Sequence, residues 1–155
     1  MKLYLVQHGE ACSKQDDPER PLTETGKADA NRLAVFLRQA GVKVDHVIHS
    51  GKLRAQQTAE RLVNAISPGT KIETHDAISP NDNPVTFAIR LKELPGDSLI
   101  VSHLPFIPGL IAHLVTGNKN SLLTEFTPGT VACLEFTPSS NNWSINWMIR
   151  PELFN

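Results

Sequence analysis

The sequence predicts an α/β protein, a three-layer α/β/α sandwich on a mostly parallel sheet that ends in a C-terminal antiparallel hairpin. Three observations carry that prediction. Apolar runs too short for helices alternate four times with patterns of helical period, which calls for parallel strands covered by helices on both faces. Each run ends in Gly, Pro or polar turn chemistry. The last two runs follow one another with no helix between them. A length of 155 residues with 40% apolar content fits one domain over 1–155. Such a chain buries roughly two-thirds of its unfolded surface and needs no disulfide or structural metal.

Leu3 to Val6 is the first strand, ending in Gln7-His8-Gly9-Glu10. Polar and Pro-rich residues follow to Arg20-Pro21, and Thr23 then caps a helix bearing Ala30, Leu33, Leu37 and Ala40, stopped by Gly41. Val44 to His49 is the second strand. The helix opened by Ser50-Gly51 carries Leu53, Ala59, Leu62, Val63 and Ile66 as core residues and closes at Pro68-Gly69. Lys71 to His75 gives a short third strand. After the loop Ser79-Pro80-Asn81-Asp82, Asn83 and Pro84 start a helix that reaches Leu94 and stops before Pro95-Gly96. Ser98 to Ser102 is the fourth strand, followed by an apolar helix from Phe106 to Thr116 with Gly117 at its end. Thr130 to Phe136 and Trp143 to Ile149 form the hairpin around the turn residues 137–142. Trp147 shares one face of the last strand with Ile145 and Ile149, and both tryptophans read as packing anchors.

Composition excludes several classes. With 15 Lys+Arg against 16 Asp+Glu and a net charge of −1, there is no broad field for a polyanion, so nucleic acid is not an expected partner. A small local cluster of Arg and His remains compatible with one phosphate. Cys12 and Cys133 form no C-x-x-C pair, which argues against a disulfide framework or zinc ribbon and for a reducing, cytoplasmic setting. The apolar run after Met1 is too short for a signal-peptide core, and no run approaches the roughly 20 apolar residues of a membrane span. No long apolar stripe calls for self-association, so a monomer is the default.

Open α/β sheets bind ligands beyond the carboxyl ends of their strands. The first strand ends at His8, the second at His49-Ser50 with Arg54 just inside the next helix, and the fourth at Ser102-His103. His8, Arg54 and His103 therefore converge on one crevice, where helix N-termini add unpaired N–H groups suited to an anion. The other histidines read as structural. His46 and His49 lie three positions apart on a strand and face opposite sides, a poor metal pair, while His75 and His113 belong to no motif. Zinc on His8 and His103 would be repelled by Arg54, so no metal site is assigned. Cys12 reads as a small passive residue, and turn hydrogen bonding explains Ser13 and Ser50 as well as phosphate contact does.

Four segments carry a resemblance: Gln7-His8-Gly9-Glu10-Ala11; Arg20-Pro21-Leu22-Thr23-x-x-Gly26; Ser50-x-x-x-Arg54-Ala55-x-Gln57-Thr58-Ala59; and Val101-Ser102-His103-Leu104-Pro105. In this order they resemble the histidine phosphatase superfamily, and within it the small phosphohistidine phosphatases of the SixA type. The resemblance implies a phosphoglycerate-mutase-like fold, in agreement with the alternation above. It also implies that His8 is the nucleophile, that Arg54 and Arg20 hold phosphoryl oxygens, and that His103 stabilises the equatorial oxygens during transfer. Gln7 and Gly9 join the substrate-binding set, with no cofactor and no metal. The implied substrate is phosphohistidine on a protein, such as a phosphotransfer or signalling partner.

One position departs from the family pattern. Gln7 stands where the family has arginine, so a charged donor becomes a neutral amide; losing one such donor typically costs on the order of 10²–10³ in rate. No general acid aligns either: Asp76 and Asp82 lie in loop sequence, and Glu10 reads as structural by its place in the motif. The absence of an acid favours an easily departing leaving group such as phosphohistidine over an alkyl phosphate. Two readings stand open on these residues: a phosphatase slowed by Gln7, or a phosphate- or phosphoprotein-binding relative without turnover. A mutase would need substrate-binding insertions for which this chain has no place.

Overall fold

A computed structural model describes residues 1–153. Six strands form one sheet in the order β3-β2-β4-β1-β5-β6. These are β1 Lys2–Gln7, β2 His46–His49, β3 Ile72–Thr74, β4 Ser98–Ser102, β5 Val131–Thr137 and β6 Asn142–Ile149. The pairs β1–β4, β2–β4 and β2–β3 are parallel, while β1–β5 and β5–β6 are antiparallel. The expected three layers and terminal hairpin are present.

Four helices cover the sheet: α1 Glu24–Gln39, α2 Leu53–Ile66, α3 Pro84–Arg90 and α4 Phe106–Thr116. Helix α1 begins where the sequence places it, with the Thr23 side chain accepting from the Gly26 N–H, and Gly41 leaves it at φ 72°. Side-chain alternation along the strands divides the core. Tyr4, Val6, Val47, Leu99 and Val101 pack with Leu33, Leu37, Leu62 and Ile66 of α1 and α2. Leu3, Leu5, Ile48 and Ile100 pack with Phe87, Phe106, Leu110 and Ile111 of α3 and α4. Burying any one of these large side chains contributes roughly 1.5–3 kcal/mol.

Three expectations need correction. Helix α3 does not run unbroken to Leu94; it tightens into a 3₁₀ turn over Leu91–Glu93, and Leu94 is extended at ψ 122° because Pro95 follows it. Strand β2 starts at His46 rather than Val44, since the Val44 N–H donates to Ser67 Oγ and the Asp45 N–H to the Asp97 carbonyl. Ile145 does not share a face with Trp147 and Ile149. The register shifts by one residue between Cys133–Trp147 and Leu134–Ile145, a bulge at Asn146 that sends Ile145 to the α3/α4 side. Trp147 instead packs on Tyr4 and Phe36, and Trp143 on Phe136. Among the described residues no helix is long and apolar enough to cross a membrane.

Candidate active site

The carboxyl ends of β1, β2 and β4 lie side by side, so the residues that follow them share one rim of the sheet. His8 comes directly after β1. Its Nδ1 lies 2.7 Å from the Gly9 carbonyl. A carbonyl can only accept, so the proton sits on Nδ1 and Nε2 keeps its lone pair. That Nε2 accepts from Arg54 Nε at 3.3 Å. Burial pushes the imidazole down to about 4, against the Gly9 bond that raises it and with Arg54 and Arg20 adding to the fall. His8 is thus neutral at ordinary pH with its bare nitrogen beside a guanidinium.

The loop holding His8 is clamped from both sides. The Gly9 N–H donates to Thr58 Oγ1 at 3.0 Å, and Thr58 Oγ1 donates to the Arg54 carbonyl at 2.8 Å. Arg54, Gln57 and Thr58 occupy one face of α2 at steps of three and four, so one helix face supplies a cation and two anchors. Gln57 Oε1 accepts the Leu22 N–H at 2.8 Å, which ties the Arg20-Pro21-Leu22 loop to the same helix. On the other side, Gly9 and Gly26 approach without side chains. A Cβ on Gly26 would run into the Glu10 carbonyl oxygen, and one on Gly9 would stand 2.9 Å from the Gly26 oxygen. Glu10 Oε1 accepts from the Thr23 hydroxyl at 2.8 Å, an anchoring contact at the start of α1.

Arg20 has a left-handed backbone at φ 50°, uncommon for a residue with a side chain. Its neighbours hold it there: the Arg20 N–H donates to Asp17, the Cys12 N–H donates to the Pro21 carbonyl, and Arg20 Nε donates to the Cys12 carbonyl at 2.9 Å. Arg20 lines a basin together with Arg54, and its charge is among those that lower His8 and His103.

His103 follows β4 and is buried. Its ring centroid lies 4.9 Å from that of His8, and its Nε2 is 2.5 Å from Ser50 Oγ, the residue after β2. Burial drives it down to about 3, helped by His8, Arg54, Lys52 and Arg20. Its Nδ1 is buried without a hydrogen-bond partner. The structure therefore brings His8, Arg54, His103 and Arg20 to one place, with Ser50 against His103.

Gln7 sits differently. By strand alternation it follows Leu3 and Leu5 onto the α3/α4 side, whereas His8 turns toward α2. It is buried, its amide bonds none of the described residues, and its Oε1 has no partner. Gly9 has both backbone groups engaged, by Thr58 and His8. Asp82 accepts from the Ser79 N–H within its own turn, and Asp76 is fully exposed beside His75. Sequence reasoning left Thr58 without a role, although its i+4 spacing from Arg54 was a usable signal, and overlooked Lys14 and Lys52. With Arg20, Arg54, Glu19 and Pro80, these lysines line a shallow basin next to the histidines. Larger concavities lie elsewhere, beside Phe36 and Trp147 and beside Ile89 and Trp143, and neither Arg20 nor Arg54 lines them.

The family model of the Histidine phosphatase superfamily (branch 1) matches residues 3–79, a stretch that includes His8, Arg20 and Arg54. Phosphohistidine phosphatase SixA of Escherichia coli (strain K12) is 27% identical over 97% of this chain and 94% of its own length. An uncharacterized protein of Picosynechococcus sp. is 40% identical over 68% of this chain and 67% of its own. A solved structure of the protein histidine phosphatase SixA complexed with tungstate superposes with a TM-score of 0.88 at 26% identity, covering 100% of both chains. Fold and site together define a phosphatase-type hydrolase of the α/β class. The chain belongs to the histidine phosphatase superfamily.

Proposed function

We propose that this chain hydrolyses phosphohistidine carried on a protein, through a phosphoryl group held transiently on His8. The observation that carries this reading is the His8 imidazole, whose Nδ1 proton is committed to Gly9 and whose bare Nε2 faces Arg54. The substrate phosphohistidine enters protonated on its other ring nitrogen; Nε2 attacks phosphorus, the bond from phosphorus to the substrate imidazole breaks, and that imidazole leaves as a neutral molecule. Water then attacks phosphorus, the bond to Nε2 breaks, and inorganic phosphate departs. Arg54 and Arg20 hold the phosphoryl oxygens and His103 supports them during transfer, where electrostatic stabilisation dominates. Gly9 contributes through its backbone, fixing the ring and its tautomer. An imidazole leaving group needs little further protonation, in keeping with the engaged Asp82 and the exposed Asp76. The basin opens to solvent, which suits a residue presented on a protein surface.

Phosphate release from a histidine-phosphorylated protein tests the proposal, with the wild type and the Gln7→Arg variant in parallel. Release by the wild type is expected, and a rate similar in Gln7→Arg would fit a residue 7 side chain on the face opposite His8 and Arg54. Binding of tungstate with no release by either form would overturn the catalytic reading and leave a phosphate-binding module.

A further inference from the structure

We infer that the basin beside the histidines is a subsite for an acidic residue flanking the phosphorylated residue of the substrate, with Lys14 and Lys52 as the groups that select it. This deepens the proposed function and rests on it for the nature of the phosphoryl donor. The basin is lined by Arg20 and Arg54, and Arg54 Nε donates to His8 Nε2 at 3.3 Å, so whatever fills it lies next to the proposed phosphoryl site. Its walls are the loop bearing Lys14, the start of α2 at Lys52, and Pro80. None of Lys14, Arg20, Lys52 and Arg54 has a carboxylate partner among the described residues. The one acid on the wall is Glu19. A phosphoryl group brings close to two negative charges at neutral pH, which the two arginines match. The lysines then exceed Glu19, and the rim keeps a net positive charge for which the phosphoryl group has no use. Lys52 stands beside the histidine site, its backbone N–H donating to Ser50 Oγ at 3.4 Å, the hydroxyl that also meets His103 Nε2.

An acidic side chain fits this surplus better than a nucleic acid does. The lining contains no aromatic ring on which a base could stack, and the chain as a whole carries a net charge of −1. Selectivity by an exposed Lys14 and a half-buried Lys52 at the surface is modest, about fivefold in affinity, and falls with salt.

The test uses the intact chain and two peptides bearing a non-hydrolysable phosphohistidine analogue, one flanked by Glu and one by Gln. Fluorescence anisotropy is expected to show the Glu peptide binding about fivefold tighter at low salt. The ratio is expected to fall to near one in the Lys14→Gln/Lys52→Gln double variant, whatever that variant does to absolute affinity. A ratio near one in the wild type, a ratio unchanged in the double variant, or stronger binding of a single-stranded oligonucleotide of equal charge would overturn the subsite. Phosphate release measured on the same preparation separates the two claims. If nothing is hydrolysed the proposed reaction fails, while the peptide ratio still decides the subsite.

Discussion

Two neighbouring residues at the end of β1 behave in opposite ways. On the α1/α2 side of the sheet, His8 has a bond at each ring nitrogen, and the Gly9 N–H behind it is held by Thr58. On the α3/α4 side, Gln7 is the more enclosed of the two, yet its amide oxygen has no partner. The strand's period of two separates them: one residue further along the chain means the opposite face. A buried, unmet acceptor costs free energy that a satisfied one does not. The polar groups that set the tautomer of His8 and place it as the proposed nucleophile are thus preorganised on one face, and the departure from the family pattern lies on the other.

That contrast can be broken at several points. His8→Ala is expected to have the largest effect, a loss of about 10⁴-fold or more in turnover with a native circular dichroism spectrum, because His8 Nε2 is the imidazole nitrogen that accepts from Arg54. Arg54→Ala should follow with a loss on the order of 10²–10³ in kcat/KM, measured on an aryl phosphate. Gly26→Ala tests the clamp and not the chemistry. The new methyl group meets the Glu10 backbone, and thermal unfolding should report a destabilisation of about 3 kcal/mol. Thr58→Val leaves the Gly9 N–H buried and unpaired, for a stability loss of about 1–3 kcal/mol and a fall in kcat larger than any rise in KM.

The pH dependence sharpens the same contrast. His8 and His103 fall from 6.5 to about 4 and about 3 in the folded chain, so between those values the unfolded state binds more protons. Their contribution to stability is therefore complete above about pH 6.5 and is lost as pH falls toward 4 and then 3. The acid limb of kcat/KM on an aryl phosphate is expected near pH 4; a limb near 6.5 would mean that His8 is not enclosed as described. The smallest effect belongs to the other face. Gln7→Met removes an unpaired oxygen at similar volume, and the melting temperature should stay level or rise.

Much of this was legible in the sequence, for identifiable reasons. The strands β1 and β4 announced themselves as short apolar runs because both of their faces are covered, and His8 and His103 followed from being the residues after them. Arg54 was legible from its place just inside a helix that opens at the same rim. What the sequence did not show depends on contacts between distant segments. Nothing local marks Asn146 as the bulge that moves Ile145 across the sheet. The Thr58–Gly9 bond joins residues far apart in the chain, and Lys52 matters only because α2 starts beside His103. The turn of Gln7 to the α3/α4 side follows from simple alternation, which residue type alone does not reveal.

The most direct test of the nucleophile is to quench the wild-type chain within one turnover of a ³²P-labelled phosphohistidine protein and map the label after digestion at alkaline pH. An acid-labile, base-stable phosphoryl group on His8, formed and lost at rates that account for turnover, is the predicted result. Turnover with no label on His8, or with label on another residue, would contradict it.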